Sequence, residues 1–154
     1  MTDNNSHSFF MNRALELAQE SINKGGFPSG ALIVFENKII GEGIALGNLL
    51  HDPSAHGEMT AIRQACQATK SSYIEGATLY SNLMPCLMCF GASSYALISK
   101  IYYAAGSHHF DPAYYRGIYT PDSMNALLST RIDLIQLKDF EAQSIALVRN
   151  FENQ

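Results

Sequence analysis

The sequence predicts an α/β domain with helices layered on both faces of one sheet. Three observations carry this. Helix-length and strand-length apolar patterns alternate along the chain. The run at residues 30–34 is apolar apart from its glycine, as expected of a strand inside a sheet. Apolar residues make up 47% of the 154 and charged residues 16%, which supports one packed core and excludes disorder, collagen-like repeats and coiled coil. A single domain over residues 1–154 is the expectation at this length.

Each element has a local reason. Residues 9–24 predict a helix, because Met11, Leu15, Ala18 and Ile22 recur at helical spacing with Arg13, Glu16, Glu20 and Lys24 elsewhere on the turn. Gly25-Gly26 ends it, since glycine accepts a left-handed cap. Residues 30–36 and 38–44 flank Asn37 and predict a tight hairpin. Asp52-Pro53-Ser54 predicts the start of a helix running to about Lys70. Met59, Ile62, Cys66 and Thr69 form its apolar face, which makes Cys66 a core residue. Residues 77–83 predict a strand, and Pro85 stops it and opens a helix over 86–98. A strand at 100–105 leads into a loop rich in Gly, His, Pro and Tyr, residues 106–121. A short helix at 122–128, a strand at 132–137 and a helix at 139–150 complete the chain, with 152–154 frayed. His7, His51, His108 and His109 read as surface or loop residues. The chain shows no internal repeat, low-complexity tract or linker.

Charge and cysteine usage narrow the function. Ten Lys+Arg against 14 Asp+Glu give a net charge of -4, a poor match to long nucleic acid. A small neutral or cationic substrate fits at least as well. Three cysteines are too few for a disulfide scaffold, and reduced thiols imply a reducing compartment, so a cytoplasmic location is expected. Residues 1–8 are polar and carry no secretory signature. No stretch approaches the roughly 18–20 apolar residues of a membrane span, so no membrane partner is expected.

Two short segments carry chemistry. His56-Gly57-Glu58 and Pro85-Cys86-Leu87-Met88-Cys89 each fall near a predicted helix start. Zinc takes four N/S ligands in closed sites, and three plus a water in catalytic ones. His56, Cys86 and Cys89 supply three. Cys86 and Cys89 are i,i+3 and share a helix face. The positive end of a helix dipole favours thiolate. No fourth protein ligand is evident, which leaves a position for water and tilts the site toward catalysis. Glu58, two residues beyond His56, suits a proton shuttle. Two other readings stay open: a redox dithiol, and a structural zinc in a non-catalytic module.

The H-x-E and P-C-x-x-C segments resemble the cytidine deaminase superfamily of zinc nucleobase deaminases, whose signature they match. The resemblance covers nearly the whole chain. The stretch from His51 to Glu58, then Ala61-Ile62-Arg63, is like guanine deaminases and tRNA adenosine deaminases; Ile118-Tyr119 and Arg149-Asn150-Phe151 are most like the guanine deaminases. It implies a three-layer α-β-α sandwich with a mixed five-stranded sheet. It also implies Zn2+ held by His56, Cys86 and Cys89, with Glu58 as the catalytic acid/base. The expected partners are a small nucleobase and a second copy of the chain in a homodimer, with a C-terminal segment exchanged as in guanine deaminases. Guanine to xanthine plus ammonia is the first reaction expected, with cytosine and tRNA adenosine as alternatives.

Substrate recognition departs from the family pattern. Where the family has an Asn after the second strand, this chain has Ala45, and the nearest Asn is Asn48. Met84 stands where the family commonly has Glu, and Ser29 where it has an aromatic or apolar residue. Asp111 is the candidate for an acidic loop residue that assists proton steps. His-Gly-Glu in place of His-Ala-Glu also occurs in fungal cytosine deaminases. Phe110, Tyr114, Tyr115 and Tyr119 can stack on a flat ring and bond its edges, or simply pack the loop. The candidate substrate-binding residues are thus Asn48, Met84, Asp111 and Tyr115. An apolar C-terminal helix, with Phe140, Ile145, Val148 and Phe151, is expected to expose a dimer patch.

Overall fold

A computed structural model describes residues 4–154; residues 1–3 of the polar start lie outside the described residues. Strands β1 (Gly30–Phe35) and β2 (Lys38–Ile44) form the expected antiparallel hairpin. Glu36 and Asn37 take φ of 49° and 65°, two consecutive left-handed residues that match the twist of the flanking strands. Glu36 therefore belongs to the turn. β3 (Thr78–Leu83) pairs antiparallel with β1, while β4 (Lys100–Ala105) and β5 (Asp133–Gln136) add in parallel. The sheet is mixed and five-stranded, ordered β2-β1-β3-β4-β5.

Period-two alternation sends side chains to two cores. Leu32, Val34, Tyr80, Tyr102 and Ala104 face Phe10, Met11, Ala14 and Leu17 of α1 (Asn4–Asn23). Ala31, Ile33, Leu79, Ile101 and Tyr103 face Ala61, Ile62 and Ala65 of α3 (Gly57–Thr69). α6 (Glu141–Glu152) lies beside α1 against β4. α4 (Leu87–Tyr95) lies beside α3.

The differences from expectation have tertiary causes. α1 begins five residues early, because His7 leaves the surface to bond the Tyr80 hydroxyl at 2.8 Å and pack its ring on Tyr102. Asp52 does not cap α3. Its carboxylate accepts the Ser54 N–H at 2.8 Å and the Ser54 hydroxyl, closing a turn, and the one-turn helix α2 (Gly47–Leu50) precedes it. α3 buries Glu58, Ala61, Ile62 and Ala65, so Cys66 sits at the core edge and Thr69 is exposed. The close approach of α3 to β2 sets that face. A Cβ on Gly43 would lie 2.2 Å from the Gly57 carbonyl oxygen, so only glycine fits there.

α4 stops at Tyr95, and Leu97 takes a left-handed φ of 64°. α5 (Pro121–Asn125) opens at Pro121 inside a Thr120–Ser123 capping box. Glu152 is helical rather than frayed and accepts the Tyr114 hydroxyl at 2.8 Å. The apolar C-terminal residues turn inward on their own chain. Val148 is fully buried, and Phe140, Ile145 and Phe151 are half-buried. Exposed apolar side chains are scattered elsewhere, including Phe9, Leu49, Leu50, Tyr73, Leu87, Met88, Tyr95, Ile118 and Leu127. Among the described residues no helix is long and apolar enough to cross a membrane.

Candidate active site

The two chemical segments meet at the starts of α3 and α4. His56 and Cys86 are the residues immediately before these helices, both extended (φ -70°, ψ 162° and φ -72°, ψ 173°). Their carbonyls already accept the first helical bonds, from Thr60 and Phe90. Cys89, one turn into α4, is fully buried. His56 Nδ1 lies 3.5 Å from Cys86 Sγ and 3.6 Å from Cys89 Sγ. A tetrahedral ion bonded at about 2.05 Å to nitrogen and 2.3 Å to sulfur would separate those ligands by about 3.6 Å. Donor chemistry and spacing therefore both fit zinc, and the three side chains are placed to bind it.

The electrostatics follow from the crowding. Hydrogen bonds from Cys89, then from His56, lower the Cys86 thiol to about 4. Cys89, as donor to Cys86, is pushed well above the usual thiol range, and burial adds to the rise. The bond to Cys86 raises His56. Burial raises Glu58 above the ordinary carboxylate range, with Cys86 adding and Cys89, His56 and Ser81 opposing. Burial makes this carboxyl easier to protonate than an exposed one, which suits a group that both takes and gives protons.

Glu58 faces a cavity of about 140 Å³ lined by Phe27, Ser29, Leu83, Met84, Phe110 and Tyr115, among others, together with His56 and Cys86. Its hydroxyls are already committed. Tyr115 donates to the Met84 carbonyl at 2.8 Å, Tyr114 to Glu152, and Ser29 to Glu58 at 3.1 Å. The walls offered to a ligand are mostly apolar and aromatic. A wider vestibule of about 840 Å³ adjoins the cavity and shares Phe27, Ala45, His56, Cys86, Tyr114 and Tyr115 with it.

The structure brings His56, Glu58, Met84, Cys86 and Tyr115 together around the inner cavity, with the Cys89 ligand atom within 4.8 Å of those of His56 and Cys86. Asn48 lines only the vestibule, where its amide donates to the Gly25 carbonyl at 3.2 Å. Asp111 lines neither space. Its carboxylate accepts the Ala113 N–H at 2.9 Å and starts a short turn, because Pro112 follows it. Tyr119 turns from the cavity to the protein: its hydroxyl donates to the Tyr115 carbonyl and accepts the Leu87 N–H at the start of α4. Sequence reasoning missed Phe27, which packs on Tyr114 and Phe151, and Ser81, a second donor to Glu58. Neither has a local signal, since both act on residues distant in the chain.

Comparison with known proteins agrees with this geometry. Residues 4–105 match the Cytidine and deoxycytidylate deaminase zinc-binding region. The chain is 41% identical to the guanine deaminase of Bacillus subtilis (strain 168) over 109 residues, 70% of this chain and 69% of that one. It is also 41% identical to the tRNA-specific adenosine deaminase of Buchnera aphidicola subsp. Baizongia pistaciae (strain Bp) over 100 residues, 65% of this chain and 62% of that one. A tRNA:A34 deaminase solved in a study of A-to-I editing superposes with a TM-score of 0.74 and 28% identity, covering 91% of this chain and 99% of the other.

Proposed function

Since the chain belongs to the cytidine and deoxycytidylate deaminase zinc-binding family, we propose that it hydrolyses the exocyclic amine from a free, nucleobase-sized heterocycle. Guanine, giving xanthine and ammonia, is the first substrate to assay, because a guanine deaminase is among the relatives. The observation that carries the reading is the inner cavity, which presents Glu58, His56 and Cys86 to one enclosed space of about 140 Å³. That is below the roughly 300–1,000 Å³ of pockets for drug-sized ligands and suits one free base.

His56, Cys86 and Cys89 would hold zinc. When bound, zinc supplies a Lewis acid that makes water nucleophilic at neutral pH. Phe27, Phe110 and Tyr115 stack against the ring and exclude bulk water. Glu58 takes the proton of the attacking water and delivers it to the ring nitrogen. It then moves the second proton to the amine, which leaves as ammonia.

A second reading is deamination of adenosine in tRNA. The vestibule of about 840 Å³ favours it, because it could seat nucleotides flanking an inserted base. The net charge of -4 and the absence of a basic run disfavour it. We also propose a cytosolic homodimer. The exposed apolar residues Met88 and Tyr95 on α4, with Leu49 and Leu50 on α2, supply an uncovered surface. Exchange of α6 would repeat, between copies, the contacts it makes within its own chain. The deciding experiment is an ammonia-release screen over guanine, cytosine, adenine, their nucleosides, aminated triazines and a tRNA anticodon stem-loop. Release from a free base supports the proposal. Release from the stem-loop alone moves the assignment to tRNA editing.

A further inference from the structure

Glu58 is 5% exposed, and two hydroxyls distant from each other in the chain reach it. Ser29, just before β1, donates to Oε1 at 3.1 Å. Ser81, in β3, donates to the same Oε1 at 3.1 Å. Ser81 is fully buried, so water does not compete for its bond, while Ser29 is 7% exposed on the cavity wall. The last torsion of a glutamate is broad and two-fold, so packing alone leaves the carboxyl plane loosely set. Two donors on one oxygen set it.

We infer that Ser29 and Ser81 are positioning residues that pin Oε1 of Glu58 and leave Oε2 clear of hydroxyl donors to carry the proton. The inference deepens the proposed deamination and rests on it for its kinetic consequence. The glycine between His56 and Glu58 belongs to the same device. A Cβ at Gly57 would stand 2.6 Å from the Ser29 hydroxyl oxygen and 3.0 Å from the Ser29 carbonyl oxygen. An alanine there would displace the Ser29 hydroxyl, so Gly57 makes room for the donor that orients its neighbour.

The test has a kinetic arm and a thermodynamic arm. With whichever substrate the wild type accepts, Ser29→Ala and Ser81→Ala should each lower kcat on the order of 10-fold, with KM unchanged and zinc retained. Ser81→Thr should keep most of kcat while the equally large Ser81→Val does not. Gly57→Ala should behave like Ser29→Ala, and combining the two should cost no more than either alone. In the second arm, the Ser29→Ala/Ser81→Ala pair should lower Tm by several degrees with Glu58 present, but hardly at all in the Glu58→Ala background. Equal Tm shifts in both backgrounds would overturn the inference, as would Ser81→Val matching Ser81→Thr in kcat. A wild type that releases no ammonia from any substrate would sink the proposed activity alone. The Tm cycle would still decide the serine pair.

Discussion

Glu58 holds a carboxyl in a buried space beside two thiols and an imidazole, so replacing its charge while keeping its shape isolates its proton chemistry. Glu58→Gln should keep fold and zinc and lose turnover by roughly 10²–10⁴-fold, the usual contribution of a general acid/base. Metal content and ammonia release on the same preparation check this; loss of zinc from Glu58→Gln would make Glu58 a ligand instead. The purified protein should carry about one zinc per chain, because three of its side chains are placed as zinc ligands. Cys86→Ala or Cys89→Ala should lose it, and a chelator should abolish activity that added zinc restores. A metal-free, active preparation would defeat that expectation. These residues were legible from H-x-E and P-C-x-x-C because ligand type and spacing are written locally. Asp111 was chosen as the loop's acidic residue, yet it is spent on the Ala113 N–H.

The elements around the site are tied by one buried amide. Asn82 in β3 accepts the Gly30 N–H at 2.8 Å and donates to the Pro28 carbonyl at 3.0 Å and to Ser144 of α6 at 3.2 Å. Ser144 in turn donates to the Asn82 carbonyl. Asn82→Ala strands several buried polar groups at once and should cost about 2–4 kcal/mol, read by urea denaturation. A loss below about 1 kcal/mol would mean that water replaces the amide. The five strands and the longer helices were read correctly because periodicity is local, while the one-turn helix α2 was missed. The boundaries that moved did so for distant reasons. α1 lengthened to seat His7 on Tyr80, and α3 rotated its buried face toward the glycines of β2.

For the molecule as a whole, α2 and α4 are among the places where large apolar side chains are exposed, and the C-terminal helix α6 exposes none among the described residues. Tyr95 is 85% exposed at the end of α4, on the same helix as Leu87 and Met88. If this face is where two copies meet, light scattering should give twice the 16.9 kDa chain mass, and Tyr95→Asp should return the monomer without unfolding it. A wild type that stays monomeric at micromolar concentration would exclude this dimer. A variant truncated before α6 that still dimerises would exclude exchange of that helix as the basis of assembly.

The sequence by itself determined the α/β class, the succession of strands and helices, the zinc-ligand set and the candidate proton shuttle. Each depends on residues within a few positions of one another: apolar periodicity, Pro85 before Cys86, Glu58 beside His56. Only the tertiary structure decided which groups surround that carboxyl. Ser29 and Ser81 stand 29 and 23 residues from Glu58 and reach it through the sheet. Tyr115 spends its hydroxyl on the Met84 carbonyl, 31 residues away, and leaves its ring for the cavity wall. A serine or tyrosine hydroxyl has no periodicity, and its partner is chosen by strand pairing and burial, which are properties of the packed chain.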